Sequence, residues 1–299
     1  MKFGKVDNIN NINFKLPPED PSNQKIFLNQ NIKTEIYLGA TGWSMKEWKG
    51  KIYPEKTKQE DFLYHYSRQF NSIELNSTHY TCPRESTIQK WYDASAEDFK
   101  FCPKMWKFIS HRNNLGLGTD LLSQFLDAIV GLREKLGVIF MQLPPYYNYA
   151  NIDILKKFLG LWPSGIQLAI EARHESFYQP DNFNNYLNMC RIHKAIPLIT
   201  DVAGRRDILH SSLGTDAAMI RWVGNGLHPT DYSRIDQWSQ RIKEWVDSGI
   251  KSIYFFPHEP DNLLTPEIAI YLVKKIKPFG KLSVRGPRLN DSHNQLSLL

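Results

Sequence analysis

The stretch QLAIEARHESF, residues 167–177, begins as a buried strand and ends in charge. Leu168, Ala169 and Ile170 form the apolar run of a strand covered on both faces, yet Glu171, Arg173 and His174 follow at once. Charged groups at the end of a buried strand are paired, solvated or used. If Leu168, Ile170 and Ala172 face a layer of helices, alternation turns Ala169, Glu171 and Arg173 to the opposite face. A parallel strand with inward polar groups at its carboxyl end is the repeating unit of a (β/α)8 barrel, whose sites sit at that end.

Seven other apolar runs share this form: IYLGA (36–40), SIELN (72–76), FKFCPK (99–104), VIFMQL (138–143), IPLITD (196–201), AMIRWV (218–223) and SIYFFP (252–257). Between them lie helical patterns. In residues 60–70, Phe62, Leu63, Tyr66 and Phe70 share one helical face, and residues 119–136 place Leu121, Leu122, Phe125, Leu126, Ile129 and Leu136 likewise. Residues 84–93, 151–160, 181–193 and 231–247 are further helical candidates, whereas 202–216 reads as an ordered loop. Strands alternating with helices imply parallel pairing, and about 250 residues is the usual extent of such a barrel. The expected organisation is a polar, loosely ordered arm over 1–33, a single α/β domain of (β/α)8 TIM-barrel-like form over 34–280, and a polar tail over 281–299. No GxGxxG or GxxxxGK[ST] follows a strand, so the usual marks of dinucleotide and P-loop folds are missing.

The 299 residues carry a formal charge of +6, and their pI is near 9.0. The basic residues are scattered, which favours anionic ligands but is not the profile of a dedicated DNA-binding domain. Cys82, Cys102 and Cys190 are odd in number and have no CxxC spacing, so neither a disulfide framework nor a thiolate zinc site is expected. The N-terminus lacks the apolar core of a signal peptide, and no run approaches a membrane span. A cytoplasmic protein without membrane association is the expectation.

The strand phases nominate a site. Ile73 and Leu75 suit the helix side, which turns Glu74 and Asn76 inward. The same reasoning offers Lys104 after the third strand, Gln142 on the fourth, Asp201 on the sixth, Arg221 on the seventh and His258 after the eighth. One polar group at one strand end is unremarkable; its recurrence at the same end of nearly every strand is the signal. The competing reading is a buried network in which Glu74, Glu171 and Asp201 neutralise Lys104, Arg173 and Arg221 and serve packing alone. Aromatic residues in the connecting loops, Trp43, Tyr80 and Tyr146 among them, suit stacking on a ligand or pinning of the loops.

Taken in order, GATGWSMKEWKGKIYP, FNSIELNSTHYTCP, FKFCPKMWKFISH, VIFMQLPP, AIEARHESF and MIRWVG closely resemble the serial motifs of the domain of unknown function 72 family, the YecE-like proteins. The resemblance runs from about residue 36 to the last strand. It implies a TIM barrel and a pocket, but no reaction. The polar positions that match are Trp43, Glu74, Asn76, Tyr80, Lys104, His111, Gln142, Glu171, Arg173, His174 and Arg221. Position 79 is His where the family looks aromatic, and FFPHEPDN departs from the family's last strand, so His79, His258 and Glu259 borrow no role.

The expected function is an enzyme acting by acid–base chemistry on a small anionic or polyhydroxylated ligand, a phosphosugar or nucleotide fragment. Arg173, Arg221 and Lys104 would hold the anion, Glu171 would be general acid or base, and Glu74 and His174 would assist. Trp43, Asn76, Tyr80, His111, Gln142, Asp201 and His258 would complete the binding surface. A second reading makes Glu74, Glu171, Asp201 and His258 ligands of a divalent metal for hydrolysis or isomerisation. A third is nucleic-acid binding through basic charge and loop aromatics. The sequence names no cofactor.

Overall fold

The computed structural model describes residues 4, 6, 8–27 and 32–290. Among them ten strands occur: β1 (Thr34–Leu38), β2 (Ser72–Leu75), β3 (Lys100–Pro103), β4 (Ile139–Gln142), β5 (Leu168–Glu171), β6 (Ile196–Pro197), β7 (Ile199–Asp201), β8 (Ala217–Val223), β9 (Ser252–His258) and β10 (Leu282–Val284). The α-helices are α1 (Phe62–Gln69), α2 (Ser77–Tyr80), α3 (Glu85–Ala94), α4 (Lys107–Ser110), α5 (Leu121–Ile129), α6 (Ile152–Gly160), α7 (Pro180–Ile192), α8 (Pro229–Ser248) and α9 (Thr265–Ile276). Every strand pair is parallel, in sheets ordered β10-β1-β9-β8-β7, β2-β3 and β4-β5-β6. The fold is α/β with parallel sheets.

Hydrogen bonds cross the sheet boundaries. Glu74 N–H donates to Ala40 O at 3.0 Å, Gly137 N–H to Phe101 O at 2.7 Å and Met105 N–H to Phe140 O at 2.8 Å. Tyr66 reinforces the first junction: its hydroxyl accepts from Ala40 N–H at 2.7 Å and donates to Ser72 O at 3.0 Å. The strands meet so closely there that a Cβ on Gly39 would lie 2.2 Å from Ser72 O.

Alternation sorts the apolar side chains. Cys102, Phe140, Ala169, Ile196, Leu198, Met219, Tyr254 and Phe256 form one cluster shared by all three sheets. Their neighbours in sequence, such as Leu168 and Ile170, pack against helices instead. Helix α8 shows the outer layer well. Its Ile235, Trp238, Ile242, Trp245 and Val246 recur at helical spacing and are buried, each contributing about 2 kcal/mol. His228 caps its start in a capping box with Asp231, and Gly249, at φ +92°, closes its end in the left-handed region.

In its elements and their bounds the structure differs from the sequence reading in four places. The segment read as one helix over 119–136 ends at Ile129 and continues as a 3-10 turn, with Gly131 packed on Ile88 and Arg133 at positive φ. The run IPLITD divides: β6 pairs with β5 and β7 with β8, and between them Leu198 N–H reaches back to Ile170 O. Residues 14–26, placed in a loosely held arm, lie against the body: Asn23 is buried and bonds Ser211 O and Leu213 N, while Glu19 accepts from Trp245 Nε1. Isolated polar residues here find specific partners, which composition cannot reveal. Likewise 282–284, counted with the tail, is β10 beside β1, and Arg285 pairs with Asp98. The remaining arm residues 1–3, 5, 7 and 28–31 and tail residues 291–299 lie outside the described residues.

Candidate functional site at the carboxyl ends of the strands

Six strands deliver polar side chains to one place. Arg221 of β8 is at its centre. Its Nε donates to Glu74 Oε2 at 2.8 Å and its Nη2 to Glu74 Oε1 at 3.0 Å, while Nη1 donates to Glu171 Oε2 at 2.8 Å. Glu171 also accepts from Gln142 Nε2 at 2.5 Å, Arg173 Nε at 2.9 Å and Thr200 Oγ1 at 3.1 Å. Lys104 Nζ donates to Gln142 Oε1 at 2.9 Å, and Glu74 further accepts from Asn76 Nδ2 at 3.0 Å and faces His258 Nε2 at 2.8 Å. The network joins β2, β4, β5, β7, β8 and β9, with Lys104, Asn76 and Arg173 just beyond strand ends.

Exposure separates the charges by sign. The Glu74 and Glu171 side chains are 0% and 1% exposed, whereas those of Arg221 and Arg173 are 11% and 15% exposed. A molecule arriving from solvent therefore meets cations first. Burial alone would raise both carboxyls, but guanidinium contacts overcome it: Arg221 and His258 hold Glu74 well below its ordinary range, and Arg173 and Arg221 hold Glu171 at about 2. Burial, then the adjacent Arg221, pushes the Lys104 ammonium down to about 8. Three cations, Arg221, Arg173 and Lys104, face two carboxylates.

Asp201 is not part of this cluster. It was expected to face inward, but its carboxylate turns to the helix layer, where it accepts from Arg234 Nη2 and Trp238 Nε1 at 2.7 Å each and from Arg206. Thr200 takes the inward place. Alternation already contained this answer, because Ile196 and Leu198 belong to the shared inner cluster and Thr200 continues their phase. The set Glu74, Glu171, Asp201 and His258 is consequently not gathered around one point. Among the described residues no three His, Cys, Asp or Glu side chains stand in a metal-ligating group.

Four further candidates lie at the rim or beyond it. His174 caps the turn at 175–178, its Nδ1 accepting from Ser176 N–H at 3.1 Å. Trp43 is partly buried and packs edge-on to Trp91 at 5.7 Å. Tyr80, exposed at 65%, and His111 join His79, Lys107, Phe108 and Arg112 around a shallow cavity of about 500 Å³. His79 itself is buried with Nδ1 2.8 Å from Met105 O; desolvation above all, with the nearby Lys104 and His111, takes its pKa to about 4.

Residues 37–289 match the family model described as protein of unknown function DUF72. The chain is 26% identical over 252 residues to the UPF0759 protein YecE of Escherichia coli K12, covering 78% of this chain and 89% of that one. A crystal structure of a DUF72 family protein from Enterococcus faecalis V583 superposes with a TM-score of 0.65 at 18% identity, over 82% of this chain and 98% of that chain. A second, from Thermotoga maritima MSB8, superposes with a TM-score of 0.62 at 23% identity and the same coverage. Among the described residues no helix is long and apolar enough to cross a membrane.

Proposed function

The chain belongs to the DUF72 family, and we propose that it binds a small anionic ligand, of the phosphosugar or nucleotide class, at the carboxyl ends of its strands. In this reading the strands form a (β/α)8 barrel and the ligand sits in its mouth. The hydrogen bonds across the sheet boundaries and the cluster shared by all three sheets support closure. The carrying observation for the ligand is that the network exposes its cations and hides its acids.

Arg221 and Arg173 present guanidinium groups, which grip phosphate or carboxylate in a planar, directional way. Glu74 and Glu171 fix those guanidiniums in place. Held near 2 and surrounded by four donors, Glu171 serves this reading as an anchor rather than as the general acid or base. Lys104 has the range for proton exchange beside a bound anion, since its ammonium titrates near 8.

The test is calorimetric titration with inorganic phosphate and sugar phosphates, on the parent and on Lys104→Met. Saturable binding weakened at least tenfold by the substitution is expected. Absence of binding by any phosphate ester would remove the reading. A second reading, single-stranded nucleic acid, is favoured by one observation: Tyr80, Phe108 and Tyr146 are exposed rings with Lys107 and Arg112 nearby. It requires oligonucleotide binding that falls steeply with salt and is lost in Tyr80→Ala.

A further inference from the structure

At the end of β9 two consecutive side chains part company. His258 turns to Glu74, and Glu259 turns beneath the loop that precedes α8. Glu259 is 3% exposed. Its Oε2 accepts from Gly226 N–H at 2.8 Å, but its Oε1 is fully buried with no hydrogen-bond partner among the described residues. The carboxylate packs directly against position 224, which only glycine allows: a Cβ there would lie 2.3 Å from Oε1.

No cation among the described residues forms an ion pair with this carboxylate. Helix α8 presents Asp231, Tyr232 and Arg234 towards it, and its own segment adds His258 and Asp261. Arg234 is committed elsewhere, to Asp201 and to Val223 O. Burial, with Asp231 adding to it, pushes the Glu259 carboxyl up to about 7, against the Gly226 and Leu227 N–H groups and the more distant Arg234. An isolated, acceptor-rich group of this kind is costly to bury unless a partner arrives.

Glu259 and His258 both line a cavity of about 530 Å³, bounded also by Val202, Ala203, Gly224 and Asn225. That volume suits a small molecule. His258 lines this cavity and also contacts Glu74 of the cationic cluster, so the two places share a side chain. We propose that the ligand is zwitterionic, with its anion on Arg221, Arg173 and Lys104 and a primary amine at the Glu259 carboxylate, which lines that cavity. The inference rests on the anion-site reading and adds to it the opposite end of the molecule. An ammonium supplies the missing donor and the missing positive charge together; a hydroxyl supplies only the donor.

The test compares glucosamine phosphate with glucose phosphate, in which an amine replaces one hydroxyl, by titration near neutral pH on the parent and on Glu259→Gln. Inorganic phosphate serves as the control. The parent is expected to prefer the amino sugar by at least tenfold, and Glu259→Gln to abolish that preference while binding inorganic phosphate as before. Equal affinity for the two sugars, or a preference that survives the substitution, overturns the inference and leaves the anion site standing. If no phosphate ester binds, the anion reading fails, and glucosamine against glucose then decides the amine pocket alone: a preference lost in Glu259→Gln upholds it, and none overturns it.

Discussion

Arg221 grips Glu74 with two nitrogens, Nε to Oε2 at 2.8 Å and Nη2 to Oε1 at 3.0 Å, and reaches Glu171 with the third. One guanidinium therefore bridges two buried carboxylates that lie on strands far apart in the chain. Removing it as Arg221→Met leaves Glu74 without a guanidinium and Glu171 with Arg173 alone, and should cost about 3–5 kcal/mol in denaturant unfolding. Adding Glu74→Gln to that variant should recover part of the loss. A strictly additive double variant would show that the contact carries no coupling.

Acid should unfold this protein through the same network. The folded-state pKa of Glu171 is depressed to about 2 from 4.5, so its contribution to stability is present above about 4.5 and is lost as pH falls towards 2. The full effect is of the order of 3 kcal/mol from a shift of this size. Glu171→Gln should flatten that limb of the stability curve. An unchanged curve would mean that Glu171 is not held in the ionised form by Arg173 and Arg221.

Lys104 links anion binding to alkaline pH. Its folded-state pKa is lowered to about 8, so the positive charge is present below 8 and lost as pH rises through it. Phosphate affinity relative to that of Lys104→Met, a ratio in which the ligand's own ionisation largely cancels, should hold steady below that value and decline above it by up to tenfold per unit. Lys104→Met should bind more weakly but without this alkaline decline. A decline of the same size in the variant would assign it to another group.

Asp201 and Arg234 are both fully buried and belong to the packing of α8 on the sheet. Asp201→Asn should lower stability by about 3–5 kcal/mol by leaving the buried Arg234 charge to the longer contact with Asp231, yet leave phosphate affinity within twofold of the parent. Affinity measured at a temperature where the variant remains folded separates the two effects. A selective loss of binding would return Asp201 to the ligand surface.

Tyr66 joins β1 to β2 through its hydroxyl. Tyr66→Phe leaves Ala40 N–H and Ser72 O without that partner and should cost about 1–3 kcal/mol, measured by urea unfolding. No change in stability would mean that the junction is held by packing alone.

Much of the site was legible in the linear pattern. Period-two alternation brought Glu74, Gln142, Glu171 and Arg221 to the same end of their strands, and Lys104 and Arg173 followed as the next residues beyond. It failed at Asp201, where the exchange of pairing partners between β6 and β7 obscured a phase that Ile196 and Leu198 already carried. Glu259 offered no such signal, because its isolation depends on Gly224, on the loop before α8 and on where Arg234 points.

Local chain geometry was enough for strand identity, parallel alternation with helices and the face on which most polar groups lie, since each depends on neighbours a few residues away. Which acid meets which base was settled only in three dimensions. Arg221 and Glu74 are 147 positions apart, and nothing in either segment specifies the other. The same holds for the surroundings of each group: the sequence nominates Glu171 as general acid or base, and only the folded chain brings Gln142, Thr200 and Arg221 to it beside the neighbouring Arg173, because desolvation and charge pairing act through space and not along the chain.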